Sequence, residues 1–131
     1  MYDKIELIGN LTRDPEMQHT QSGTEVTNLN IATNRKWTDK AGQKQEQVVW
    51  WRVSVWGKQA EACEQYLSKG RQVFVEGQVT PDENGNPRMF ERNDGTFGTS
   101  FELRANRVLF LGSKGERVDA SGVNSREDLP F

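Results

Sequence analysis

Residues 48–57 constrain the fold of this chain more than any other segment, because their large side chains alternate in character. Side chains on a β-strand point to opposite faces with a period of two, so this run would divide between two surfaces. The apolar face, which predicts contact with a core, carries Val49, Trp51, Val53 and Val55. The opposite face carries Val48, Trp50, Arg52, Ser54 and Trp56.

The second face is unusual, because a strand of a water-soluble protein normally turns polar side chains outward. Here two indoles, Trp50 and Trp56, flank the guanidinium of Arg52. Indoles stack on any nucleobase, and arginine binds both phosphates and ring faces. The pattern predicts a surface for stacked bases on a phosphate chain. The alternative is that both tryptophans are buried beneath another element or a partner subunit.

Composition narrows the possibilities further. A chain of 131 residues predicts one domain with a tail, and about two thirds of its unfolded surface can be buried. Its 17 basic and 19 acidic residues give a net charge of −2, so cations that bind an anion must be segregated on one surface. Cys63 is the only cysteine and His19 is the only histidine, so the sequence predicts neither an internal disulfide nor a zinc site. No cofactor is predicted. The sequence has no apolar run of about 20 residues and no signal-peptide pattern. We therefore expect a cytoplasmic protein that has no membrane partner.

Five strand patterns and one helix pattern order the chain. Apolar alternation predicts strands at residues 5–9, 26–34, 48–57, 73–79 and 99–110. A helix is predicted at 58–68, where Ala60, Cys63 and Leu67 share one face and Gly70 provides a stop. We predict an all-β, five-stranded Greek-key barrel of the OB-fold type, with one α-helix between strands three and four. A small β-sandwich is the alternative.

Several segments together resemble the bacterial single-stranded DNA-binding proteins. The resemblance covers about residues 4–80 and resumes near 99–111. It rests on Ile8-Gly9-Asn10-Leu11-Thr12 with Asp14-Pro15, Ala32-Thr33-Asn34 with Trp37, the run from Trp50 to Lys58, Tyr66-Leu67 with Lys69-Gly70, and Val75-Glu76-Gly77.

The resemblance implies an OB-fold domain at residues 1–111, a homotetramer, and binding of single-stranded DNA without strong sequence preference. The predicted role is that of a nucleoid-associated protein that protects this DNA in replication, recombination and repair. No enzyme activity is predicted, because the sequence shows no Cys/His pair, no phosphate-binding glycine motif and no identifiable pair of convergent acids. Family stacking positions correspond to Trp37, Trp50 and Trp56, and basic contacts to Lys4, Arg52, Lys58 and Lys69. Arg35 is a further basic candidate because it lies near Trp37. The competing hypothesis is a barrel that supports an enzyme, or one that binds structured RNA or an oligosaccharide.

Residues 80–98 depart from the family pattern, because two turn signals fall within this connection. Phe90, between Arg88 and Arg92, is the predicted fourth stacking residue, with Phe97 as the alternative and packing of Phe90 onto its own barrel also open. Trp51 is unusual for its position and would either fill the core or extend into a subunit contact.

Residues 112–131 are poor in large apolar side chains, which predicts a flexible tail. Its end resembles the family's partner-docking tip, and the resemblance implies recruitment of DNA replication and repair enzymes. Pro130 would keep the tip extended, with apolar side chains and the terminal carboxylate offered to a pocket with a basic rim. The tip consists of Glu127, Asp128, Leu129, Pro130 and Phe131. An inert tail is the alternative.

Overall fold

Strands make up most of the computed structural model, which describes residues 1–112 and 117–119. One helix lies between the fourth and fifth strands of this part of the chain. The elements are β1 (Ile5–Leu11), β2 (Glu16–His19), β3 (Glu25–Thr38), β4 (Lys44–Trp56), α1 (Lys58–Tyr66), β5 (Gln72–Val79), β6 (Arg88–Glu91), β7 (Phe97–Leu111) and β8 (Arg117–Asp119).

Five long strands close into a barrel. The hydrogen-bonded order runs β1, β5, β7, β4 and β3, and β3 returns to β1 through Asn10 opposite Ala32 and Leu11 opposite Ile31. The β4–β7 pair is parallel, and the other pairs of the barrel are antiparallel. This arrangement is the predicted five-stranded OB-fold with a helix after its third strand, and that prediction is confirmed. The β-sandwich alternative is therefore wrong.

Alternating side chains of the barrel strands fill its interior. Leu29, Val53 and Val55 are fully buried, and Ile31 retains 1% of its exposure. Burial is weaker at the start of the apolar β4 face, where Val49 is only half-buried. The core is therefore densest toward the helix end of β4.

Helix α1 packs against one end of the barrel. Its Ala60 and Cys63 are fully buried, and the buried hydroxyl of Thr27 on β3 donates to the Ala60 carbonyl at 2.7 Å. The predicted end of this helix at residue 68 is wrong. The helix ends at Tyr66 because Leu67 takes an extended backbone that buries its side chain. Gly70 lies in the turn beyond it, with φ +91°.

Three short strands were not predicted from the sequence. β2 pairs with β3 inside what was expected to be a long connection, and β6 pairs with β7 between the two predicted turns. β8 pairs with Leu109, Phe110 and Leu111 of β7, within the segment predicted as a tail. The docking tip, residues 127–131, lies outside the described residues.

The β3–β4 hairpin extends beyond the barrel as a two-stranded arm, comprising residues 33–38 and 44–49. In the described structure these residues pair only with one another, from Thr33 opposite Val49 to Thr38 opposite Lys44. At the tip of the arm, the carboxylate of Asp39 accepts hydrogen bonds from the backbone of residues 41 and 43. The Gln43 backbone bond is the largest of the effects that lower the pKa of Asp39.

Candidate nucleic-acid interface

A groove of about 480 Å³ lies on the outer side of the barrel, where β4 faces the β6–β7 hairpin. We call it the central groove. Its lining includes Trp50, Arg52 and Phe90, three of the residues selected from the sequence. The Trp50 side chain is 64% exposed and Phe90 is 46% exposed, so both rings present apolar area to solvent. The remaining lining residues are Thr12, Arg13, Asn30, Ile31, Trp51 and Ser100.

A second cavity, of about 630 Å³, adjoins the central groove. We call it the side cavity. Trp50, Trp51, Phe90 and Ser100 line both spaces. The side cavity adds Arg35, Gln47, Val48, Val49, Thr99 and Phe101.

Charge is segregated at these two cavities although the chain as a whole is slightly acidic. Among the described residues that line them, Arg13, Arg35 and Arg52 are basic and none is acidic. Their guanidinium groups can bind phosphate oxygens or stack on flat rings. The surface therefore combines exposed aromatic rings with a local positive charge, as a single-stranded polynucleotide requires.

Trp56 lies at the other end of the same β4 face and is half-buried. The guanidinium of Arg104 on β7 lies over its indole, 5.3 Å from the ring centre. This contact forms because parallel pairing sets Ser54 of β4 opposite Arg104. One face of the Trp56 ring is thus occupied by a cation, and a base that stacks there would share or replace that contact.

Trp37 does not join the other predicted stacking residues in either cavity. It lies on the arm, 47% exposed, in a concave region of about 480 Å³ with Lys36 and Lys44 among its lining residues. Directly paired residues of antiparallel strands point to the same face, and Ala32 is paired with Trp50. Because Trp37 is five positions beyond Ala32, it lies on the opposite face of the β3–β4 ribbon from Trp50.

The β6–β7 hairpin carries both phenylalanines that were considered for the fourth stacking position, and it places them on different faces. Phe90 pairs with Gly98 and its ring lines the central groove, with the Arg92 guanidinium 5.4 Å from the ring centre. Phe97 pairs with Glu91, one position along, and therefore lies on the other face of the hairpin. Phe97 is 61% exposed and is absent from the lining of both cavities.

Trp51 is held by contacts within its own chain. Its indole N–H donates to the Thr33 hydroxyl at 2.9 Å, and its ring packs against the barrel core. The ring of Phe101 lies 5.3 Å away, tilted by 42°. Of the two roles expected for Trp51, this geometry favours packing at the edge of the core.

The predicted basic residues are dispersed. Lys4 forms ion pairs with Glu76 at 2.7 Å and Glu6 at 3.5 Å, and the hydrogen bond to Glu76 raises the pKa of Lys4. Lys58 begins α1 and is exposed. Lys69 is exposed in the turn after the helix, where its backbone N–H donates to Asp14 at 2.8 Å. In the lining of the central groove, only Arg52 comes from the predicted basic set.

Three side chains of this surface were not predicted from the sequence: Arg13, Phe101 and Arg104. Arg13 precedes a turn signal, where no alternation indicates a direction. Phe101 and Arg104 approach β4 only through the parallel β4–β7 pairing. No group of three or more His, Cys, Asp or Glu side chains in the described structure could hold a metal ion. No helix of that same part is long and apolar enough to cross a membrane.

Comparison with known proteins identifies the family of this chain. The model of the Single-strand binding protein family matches residues 2–111. Single-stranded DNA-binding protein 1 of Chlorobaculum tepidum is 47% identical over 131 residues, which cover 98% of this chain and 76% of that protein. The Single-stranded DNA-binding protein of Neisseria meningitidis is 35% identical over 114 residues, which cover 87% of this chain and 62% of that protein.

Two solved structures share the architecture. A deletion mutant of the single-stranded DNA binding protein from Thermus aquaticus superposes with a TM-score of 0.67 at 31% identity, covering 88% of this chain and 53% of that one. The SSB of Plasmodium falciparum in complex with ssDNA gives a TM-score of 0.69 at 26% identity, covering 86% of this chain and 96% of that one. The chain described here belongs to the single-strand binding protein family.

Proposed function

We propose that this protein binds single-stranded DNA, without strong sequence preference, along the central groove and past Trp50. The observation that carries the proposal is the shared lining of the groove by Trp50, Phe90, Arg13 and Arg52. Aromatic rings stack on every base, and guanidinium groups neutralise phosphates whatever the sequence. Membership of the family supports the same conclusion, as does the ssDNA in the complex of the Plasmodium falciparum SSB.

The remaining predicted contacts define a longer path on this proposal. Trp56 would stack a base at the helix end of β4, and Trp37 would stack one on the arm. Lys58 would contribute positive charge beside Trp56, and Arg35 would do so in the side cavity. Lys4 and Lys69 remain proposed phosphate contacts; Lys4 would have to exchange its ion pair with Glu76 for a phosphate.

The test is equilibrium binding of a labelled oligo-dT, measured by fluorescence anisotropy, with duplex DNA, a structured RNA and an oligosaccharide as competitors. Trp50→Ala should weaken oligo-dT binding by about 1–3 kcal/mol, because a stacked base loses its partner. Arg52→Gln should reduce the magnitude of the slope of log affinity against log salt concentration by about 0.7, because one phosphate is no longer neutralised. Met89→Ala is the matched control, since Met89 is 65% exposed next to Phe90 and absent from the groove lining.

Failure of the wild-type protein to bind oligo-dT at low salt would refute the proposal. Preference for duplex DNA would also refute it, because neighbouring base pairs cover the faces of the bases inside a duplex. Tighter binding of structured RNA or an oligosaccharide would favour the competing hypothesis of another barrel ligand. An unchanged oligo-dT affinity in folded Trp50→Ala would place the interface elsewhere.

We also propose that the protein acts at the nucleoid in the cytoplasm, as a non-enzymatic homotetramer, during replication, recombination and repair. The tip, Glu127 to Phe131, would recruit DNA-processing enzymes. Its sequence supports this role, because Leu129 and Phe131 can enter an apolar pocket while the carboxylates of Glu127 and Asp128 contact a basic rim.

Deletion of residues 127–131 tests the role of the tip. The truncated protein should lose capture of DNA replication and repair enzymes but keep its affinity for oligo-dT. Phe131→Ala should lose more capture than Glu127→Gln, because the buried ring is the anchor. Equal capture of these enzymes by full-length and truncated proteins would show that the tip is not the docking element.

A further inference from the structure

Phe101 on β7 exposes a large aromatic ring just before the point where side chains on its face of the strand become buried. By alternation it shares a face with Leu103 and Ala105, which are both buried. Phe101 nevertheless keeps 60% of its exposure, because it lies at the edge of the barrel and its neighbour across the sheet is Trp51. The strand therefore presents an apolar ring at the end of the core that is farther from the helix.

The ring of Phe101 is supported on one side by a fixed partner. Trp51 packs against the core, and its N–H bond to Thr33 fixes the orientation of the indole. Phe101 rests against that indole with 5.3 Å between ring centres. A ring supported in this way loses little conformational freedom when a ligand stacks on it, which favours binding.

The side cavity brings Phe101 together with Trp50 and Phe90. These three rings have exposed area, and the cavity continues directly from the central groove through Trp50 and Phe90. Arg35 supplies a cation, and no acidic residue is among the described lining residues. With a volume of about 630 Å³, the space is within the range of ordinary ligand pockets.

We propose that Phe101 is a further base-stacking residue, which extends the path of single-stranded DNA from the central groove into the side cavity that Arg35 helps to line. This inference rests on the proposed function. Phe101 also borders a smaller apolar pocket with Pro81 and Pro87, where a protein contact is the competing use. The continuity with Trp50 and the cation at Arg35 favour a nucleobase over an apolar protein segment.

The experiment compares Phe101→Leu, Phe101→Ala and Phe101→Tyr in anisotropy titrations with labelled oligo-dT. Leucine preserves apolar packing on Trp51 but has no π face, whereas tyrosine keeps the ring. Leucine and alanine should weaken binding about 5- to 140-fold, which corresponds to about 1–3 kcal/mol, and tyrosine should retain it. Phe97→Leu is the matched control, because Phe97 is a phenylalanine of similar exposure on the same strand and outside the cavity.

A second measurement does not depend on affinity. Oligonucleotides that carry 5-iodouracil should form photo-crosslinks to a peptide containing Phe101, and Phe101→Leu should remove that crosslink. Thermal unfolding of each variant, followed by circular dichroism, separates a loss of stacking from a loss of folding.

The inference would be overturned if Phe101→Leu bound oligo-dT as tightly as the wild type and the wild type formed no crosslink at Phe101. If Trp50→Ala lost binding in the same experiments, the proposed function would remain intact. Absence of oligo-dT binding by the wild type would refute the proposed function itself. Unchanged affinity in Phe101→Leu together with altered oligomeric state on sizing would indicate the protein contact and reject base stacking.

Discussion

Replacing Gly98 by alanine should weaken DNA binding without unfolding the barrel. A Cβ atom at Gly98 would lie 2.8 Å from Cζ of Phe90 and 2.5 Å from Nη2 of Arg92. Carbon atoms pack best at about 3.5–4.0 Å, so the Phe90 ring would have to retreat by roughly 1 Å. Both clashing groups are ends of flexible side chains, and they can move into solvent. The displaced ring would no longer hold its place in the central groove.

The loss of affinity has an upper limit. Complete removal of one stacked base costs about 1–3 kcal/mol, so Gly98→Ala should cost no more than Phe90→Ala. The two changes act on one ring, and the double variant should bind oligo-dT about as well as Phe90→Ala alone. Anisotropy titrations of the three variants measure this coupling, and thermal unfolding checks the fold. Fully additive losses, or a large fall in the melting temperature of Gly98→Ala, would refute the reasoning.

Two further predictions concern stability. Thr27→Val should lower the free energy of unfolding by about 1–3 kcal/mol in urea titrations, because the Ala60 carbonyl loses its buried partner, whereas Thr27→Ser should keep most of the bond. Burial raises the pKa of the Cys63 thiol from 9.0 to about 12. As pH rises, the thiol of the unfolded chain therefore loses its proton before the thiol of the folded chain does. The free energy of unfolding should be constant in this respect below about pH 9 and should fall by roughly 1 kcal/mol by about pH 10. Cys63→Ala should lack that part of the pH dependence; an equal slope in both proteins would contradict the prediction.

Side-chain alternation was a sufficient guide to the faces of long strands. It predicted the burial of Val53 and Val55 and the exposure of Trp50, because both properties follow from position within one strand. It could not decide the role of Trp51, whose partners Thr33 and Phe101 come from other strands. A residue at the edge of a core takes its environment from pairing that lies far away in sequence.

The strands, helix end and contacts that the sequence did not predict have a common physical cause. β2, β6 and β8 are three or four residues long, too short for alternation to stand out from chance. The helix ended early because burial of Leu67 required an extended backbone, which local periodicity does not reveal. Arg104 meets Trp56 through the parallel β4–β7 pair, and a parallel register has no turn in the sequence to mark it.

The arm has a consequence for how the protein opens. Its backbone hydrogen bonds join only two strands in the described structure, and residues 34–38 and 44–48 are exposed. Amide protons of the arm should exchange with solvent through local fraying, while those around Val53 and Val75 should exchange only when the whole barrel opens. Trp37 would then sample many orientations before a strand arrives, while Trp50 stays anchored near the rigid edge. Binding of a polynucleotide would then begin at Trp37 on the mobile arm and be completed at Trp50 beside the rigid barrel.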